Sequence, residues 1–206
     1  MARGRAPDYD AQRTMIVQEA ARLFARRGYP STSMNEVAQA CGMSKATLYH
    51  YYRDKYALLV SITDEHVSRL LAVVTEVFAV DQEPIGRMRE LIRRFLQEYA
   101  GAQDAHRVLT EDVRFLEPAD RERVLGKERE VVSAFAQTVA QVRPELGGAH
   151  LDKPLTMLLF GMMNWMFTWM RPGGGLDYAD MAPVVADLFL GGLPAVATRE
   201  TPGITV

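Results

Sequence analysis

Apolar positions recur along this chain at intervals of three and four, and no stretch keeps the two-residue alternation of a half-buried strand. The run RTMIVQEAARLFARRG sets Ile16, Val17, Ala20, Ala21, Leu23 and Phe24 on one stripe. It predicts a helix, with Gly28 where a C-terminal cap belongs. Ser33 stands three residues before Glu36, a capping box that predicts a short helix through about Cys41. Gly42 supplies the left-handed turn that ends it, and Ser44 is a fresh N-cap for a helix over about Lys45 to Tyr51. Asp54 caps a longer helix through about Val80, whose apolar face holds Leu58, Leu59, Ile62, Val67, Leu70, Leu71 and Val74. Short helix, glycine turn, short helix, then a long one: the order predicts a helix-turn-helix.

Further helices are expected at about 84–101, 103–116, 118–143, 152–171 and 180–191, with turns at Gly147-Gly148 and at RPGGG, 171–175. Pro154 suits a first helical turn, and Pro183 does so if the last helix starts near Asp180. Residues 194–206 read as a mobile tail, and residues 1–10, with Arg3 and Arg5, as an arm. The fold class expected is all-α.

Composition narrows the setting. Of 206 residues, 48% are hydrophobic and 24% charged, enough to bury a real core. Cys41 is the sole cysteine and no apolar leader follows the start, which points to a reducing, cytoplasmic location. The most apolar run, LTMLLFGMMNWMFTWM (155–170), includes Thr156, Asn164 and Thr168. A membrane span takes about 20 predominantly apolar residues, so a buried helix is the reading here. The net charge of −2 is uneven: residues 1–60 carry nine Lys and Arg against five Asp and Glu, and the rest carry 15 against 21. A basic N-terminal third on an acidic body suits an anionic partner for that third.

The run CGMSKATLYHYYRDKYALL gives this partner its chemistry. The second helix of a helix-turn-helix enters the major groove by its N-terminal end. Leu48 and Tyr52, four apart, are expected to face inward against Val37, Ala38 and Met43. Lys45, Ala46, Thr47, Tyr49, His50 and Tyr51 then point outward or toward the edges. A lysine reaches a guanine edge or a phosphate, a threonine methyl meets a thymine methyl, and tyrosine hydroxyls donate to phosphate. Lys55, in the first turn of the next helix, suits a phosphate better than the helix dipole.

Residues 13–59, from Arg13 through Gly28-Tyr29, Ser33, Glu36-Val37-Ala38 and Gly42-Met43-Ser44-Lys45-Ala46-Thr47-Leu48-Tyr49 to Lys55 and Leu58, strongly resemble the N-terminal domain of TetR-family transcriptional regulators. The resemblance implies an all-helical homodimer that binds palindromic operator DNA and is released by a ligand in the C-terminal body. It places Lys45, Thr47, Tyr49, His50 and Tyr51 at groove-facing positions and Lys55 at a phosphate-contacting lysine, and Ser33, Asn35, Ser44 and Ala46 complete the candidate DNA contacts, the role of Asn35 being open. Asn35 replaces a residue that is sometimes a base contact, and Tyr52 stands where phenylalanine is commoner. The domains expected are a DNA-binding domain over 1–56 and a ligand-binding and dimerisation domain over 57–206.

A looser resemblance joins LFGMMNWMFTWMRPGGGL and DLFLGGL to regulators of the same family that answer acyl-CoA thioesters, the phenylacetate and fatty-acid degradation repressors among them. It implies an apolar tunnel with basic residues at its mouth. Phe95, Tyr99, Arg114, Phe115, Met162, Met163, Trp165, Met166 and Trp169 are the candidate ligand contacts, and Arg114, Arg121, Arg123 and Lys127 the candidate phosphate partners. The Met- and Trp-rich run serves equally as core or subunit seam. A rival reading is an acyl-CoA-binding carrier or enzyme whose helix-turn-helix is only structural. Against an enzyme, no Ser/His/Asp or paired-carboxylate arrangement stands out. His66, His106 and His150 share no ligand spacing with each other or with Cys41, so neither metal nor cofactor is expected. GGG at 173–175 follows no strand and reads as a turn, and EPADRERVLGKERE as a solvated helix face.

Overall fold

A computed structural model describes residues 7–170 and 174–197, the side chains of 7 and 8 excepted. The described residues form helices and turns, with no strand. The helices are α1 (Pro7–Arg27), α2 (Met34–Ala40), α3 (Lys45–Tyr51), α4 (Lys55–Phe78), α5 (Pro84–Gly101), α6 (Gln103–Asp112), α7 (Pro118–Val142), α8 (Pro144–Gly148), α9 (Asp152–Asn164) and α10 (Tyr178–Gly192). Single 3-10 turns follow at Val113–Phe115, Met166–Thr168 and Leu193–Ala195.

The start and stop signals act as expected in the N-terminal part. The Ser33 hydroxyl accepts the Glu36 amide at 3.3 Å while the Glu36 carboxylate accepts the Ser33 amide at 2.8 Å. Ser44 accepts the Thr47 amide at 3.1 Å, and Asp54 accepts that of Ala57 at 2.7 Å. Gly28 (φ +82°) and Gly42 (φ +62°) take the left-handed conformation that ends α1 and α2, where a β-carbon would be strained.

Elsewhere the structure departs from the expectation. Helix α1 already runs from Pro7, so the last four residues of the expected arm are helical, and residues 1–6 lie outside the described residues. The expected turn at Gly147-Gly148 is the end of a five-residue helix opened by Pro144, closed by left-handed His150 (φ +56°) and by the Leu151 amide on Leu146 O at 2.8 Å. Helix α9 stops at Asn164 instead of reaching 171. The Asn164 Oδ1 accepts the Tyr99 hydroxyl at 2.8 Å, and just past the helix end the Thr168 hydroxyl donates to the Trp165 carbonyl at 2.7 Å, taking up a group the helical ladder would use. Helix α10 begins at Tyr178 under an Asp177–Asp180 capping box, which leaves Pro183 inside the helix rather than in its first turn. Of RPGGG, residues 171–173 lie outside the described residues, as do residues 198–206 of the expected tail.

Two compact units share the chain. One takes residues up to Arg69 with Ala102–Lys127, the other Leu70–Gly101 with the residues from Glu128 onward. The first is built on Ile16, Ala20, Phe24, Val37, Leu48, Leu58, Leu59, Ile62, Val67, Val108 and Val124, all buried. It is thus larger than the 1–56 segment, because α6 returns to pack on α1. The second closes around Met88, Leu91, Ile92, Phe95, Phe135, Val139, Leu159, Met163 and Phe189, with the Phe95 and Phe135 rings edge to face at 4.9 Å.

Candidate nucleic-acid interface and effector core

Helix α3 divides cleanly by face. Leu48 is wholly buried and Tyr52 nearly so, while Lys45, Ala46, Thr47, Tyr49 and His50 are exposed. The Lys45 ammonium lies 5.7 Å from the centre of the Tyr49 ring, so a cation and an aromatic edge are offered together. The Thr47 and Ser44 hydroxyls bond to each other at 2.8 Å at the start of α3. On α2, Asn35 is exposed, and Ser33 is exposed but occupied in the capping box.

Two of the expected contacts are engaged inside the protein. Tyr51 is half-buried: its ring stacks on Tyr9 at 4.8 Å and its hydroxyl donates to the Gln12 side-chain oxygen, both on α1. The Lys55 ammonium donates to the carbonyls of Tyr29 (2.8 Å) and Pro30 (3.1 Å) and sits over the Tyr29 ring at 4.5 Å. An ammonium has three N–H groups, so one remains for a phosphate. Sequence spacing marks both residues as polar neighbours of the groove but carries no sign of these tethers.

The first unit also holds polar groups that sequence reading did not connect. His66 on α4 and His106 on α6 meet at 3.2 Å, Nε2 to Nδ1, and burial lowers their pKa values to about 3 and about 4. Arg123 and Lys127, expected as phosphate partners, both hold Asp64, at 3.2 and 2.8 Å, and Arg123 also holds Asp120 at 2.6 Å. Burial pushes the Asp64 carboxyl up, but these cations outweigh it and keep its pKa below the usual range. Arg121 is exposed.

The expected ligand contacts fall into three groups. Phe95, Tyr99, Met163 and Met166 are buried together in the second unit. Met162, Trp165 and Trp169 face outward, 37%, 64% and 53% exposed. Arg114 and Phe115 belong to the first unit, the guanidinium lying 4.9 Å over its neighbour's ring. In the second unit burial raises the Tyr99 hydroxyl pKa strongly, with the Glu128 charge adding to it, and burial also raises Glu128. Glu128 thus leaves the solvated face expected of its charged run, and nothing in the alternating charges of that run marks it. Among the described residues, no three His, Cys, Asp or Glu side chains gather as a metal would require, and no helix is long and apolar enough to cross a membrane.

A capped helix-turn-helix on an all-α frame defines a helix-turn-helix protein with a helical second part. Residues 16–62 match the profile described as bacterial regulatory proteins, tetR family, and residues 81–193 that described as Tetracyclin repressor-like, C-terminal domain. A TetR-family transcriptional regulator from Bordetella parapertussis shares 34% identity and a TM-score of 0.83, over 91% of this chain and 98% of its own. The chain belongs to the TetR family of bacterial regulators.

Among curated relatives, the transcriptional activator FasR of Mycolicibacterium smegmatis is 26% identical over 116 residues, 56% of this chain. The match spans about half of that relative's length, 53%. The repressor KstR2 of Rhodococcus jostii is 22% identical over 185 residues, 88% of this chain and 91% of its own. AibR, solved in complex with isovaleryl coenzyme A and operator DNA, has the same fold at 24% identity and a TM-score of 0.74, over 86% of this chain and 97% of its own.

Proposed function

We propose that this protein is a homodimeric transcriptional repressor that binds palindromic operator DNA and leaves it when an acyl-CoA thioester binds. The observation that carries the DNA reading is α3: a short helix with one buried apolar anchor, Leu48, and an outward face of Lys45, Ala46, Thr47, Tyr49 and His50. Its polar tips suit base edges and its rings suit sugar and phosphate.

A second copy of the chain supplies the symmetry that two half-sites need. Its support is an outward apolar stripe. On α9 and just past it Leu158, Met162, Trp165 and Trp169 follow one another at helical spacing, and on α10 Val184 and Leu188 do the same, all exposed. An exposed patch of this kind marks an association surface. Met162, Trp165 and Trp169 therefore go to the seam, and Phe95, Tyr99, Met163 and Met166 stay as the effector's wall.

The thioester class rests on the resemblance of the Met/Trp run and on AibR, a neighbour in fold that was solved with isovaleryl coenzyme A. Allosteric coupling is typically ~1–3 kcal/mol, so the effector should weaken operator binding about 5–150-fold, and DNA should weaken effector binding equally. The test captures genomic fragments with the purified protein, then titrates the complex with short, long and aromatic acyl-CoAs. Selective capture with release supports the whole reading. Capture without release by any thioester keeps the repressor and removes the effector class, and absence of capture removes the repressor.

A further inference from the structure

Tyr51 sits on the recognition helix, yet its contacts run the other way. Its ring stacks on Tyr9 at 4.8 Å with 27° between the planes, and its hydroxyl proton goes to the Gln12 side-chain oxygen. Both partners lie in the first two turns of α1, 39 residues or more away in sequence. His50 packs edge-on against the same ring at 5.8 Å. A phenol has one proton to donate, and while Gln12 accepts it none is left for a phosphate. The other end of α3 is fixed differently, by Ser44 at its N-cap and by Leu48 in the core. At the C-terminal end, Tyr52 is buried in the core with the Arg13 guanidinium of α1 5.7 Å from its ring, and Tyr51 adds a second tie between α3 and α1.

We propose that Tyr51 is a positioning residue: clasped by Tyr9 and Gln12, it fixes the pose of α3, and through it the base contacts, without touching DNA itself. The inference rests on the operator-binding reading and adds to it the role of a residue that reads as a groove contact by position. A helix held at both ends keeps Lys45 and Tyr49 in one register against the base edges. A helix that has lost this tie still offers the same charges to phosphate. Loss of the clasp therefore lowers discrimination between operator and random DNA and spares non-specific binding. A phosphate contact behaves differently, since its loss weakens all sequences alike.

The test uses the full chain and the sequence that the wild-type protein selects from a pool of random duplexes. Tyr51→Phe, Gln12→Ala, the double variant and Tyr9→Ala are compared on that sequence and on scrambled duplex. Tyr51→Phe and Gln12→Ala should each reduce the specific-to-scrambled ratio, and the double variant should cost no more than either one, because both remove the same bond. Tyr9→Ala, which removes the stack, should lower the ratio by about 2- to 12-fold. If Tyr51→Phe costs as much with Gln12 replaced as with it present, or weakens specific and scrambled DNA equally, Tyr51 contacts DNA and the inference falls. If the wild-type chain selects no sequence at all, the operator-binding reading falls first and this one with it.

Discussion

His66 on α4 and His106 on α6 share one proton between two buried rings, Nε2 to Nδ1 at 3.2 Å. The Arg69 guanidinium, which only donates, lies 3.5 Å from His66 Nδ1, so that nitrogen accepts and the proton sits on His66 Nε2, directed at His106. The arrangement requires both rings to be neutral.

Acid should therefore destabilise the first unit. Folded pKa values of about 3 and about 4 lie below the unfolded 6.5, so between them the unfolded chain binds more protons and stability rises with pH. The stabilisation is complete above pH 6.5 and is lost as the pH falls toward the folded values. At pH 5.5 each ring should cost about 1.4 kcal/mol. Thermal unfolding from pH 7.5 to 5 should show this fall in the wild-type chain and a much flatter profile in the His66→Leu/His106→Leu variant. Parallel profiles would assign the acid sensitivity elsewhere.

Lys45 and Lys55 should separate by what they hold. Lys45 is exposed, so Lys45→Ala and Tyr49→Phe should weaken operator binding and leave Tm nearly unchanged. If the Lys45 ammonium neutralises a phosphate, the logarithmic salt slope should fall by about 0.9. Lys55→Ala removes two hydrogen bonds to the α1–α2 loop as well, and should lower stability by about 1 kcal/mol in addition to weakening all DNA sequences alike. Salt titrations beside melting curves distinguish them.

The proposed seam offers a second contrast. Leu188 is 66% exposed, and Leu188→Arg should break dimerisation and spare the folded chain. Leu190 is half-buried against the second core, so Leu190→Arg should reduce stability as well as assembly. Light scattering with circular dichroism reads both. The two tryptophans are outward-facing, so their emission should shift to the blue on dimerisation and respond less to a ligand in the core.

Tyr52 brings a hydroxyl into the first core. The oxygen is buried beside Ser61 without a hydrogen bond of normal geometry. An unsatisfied buried hydroxyl is costly, so Tyr52→Phe should stabilise the first unit by about 1 kcal/mol. A melting temperature that drops would mean that the hydroxyl has a partner in solution.

The N-terminal helices were legible because their boundaries are set locally. Ser33, Glu36, Ser44 and Asp54 act within three residues of themselves, and Gly28 and Gly42 act on their own backbone. Leu48 and Tyr52 followed from helical period alone. What escaped depends on distant partners. Asn164, the last residue of α9, bonds Tyr99, 65 residues earlier, and His66 finds His106 across 40. The run 155–170 is apolar on two faces, and periodicity does not tell the face that meets the core from the one that awaits another chain. Tyr51 lies on α3 as its spacing implies, but its bond to Gln12 spans 39 residues that periodicity does not connect.

The outward stripe of Leu158, Trp165 and Leu188 bears on how steeply such a repressor responds to its own abundance. If operator binding takes two chains joined at that stripe, occupancy at concentrations below the dimer Kd follows the square of chain concentration. Halving the gene's output would then remove three quarters of the bound form. Each apolar side chain on the stripe thereby sets a threshold in copies per cell. A leucine exchanged for alanine there would retune expression without touching either α3 or the buried cluster around Phe95 and Met163.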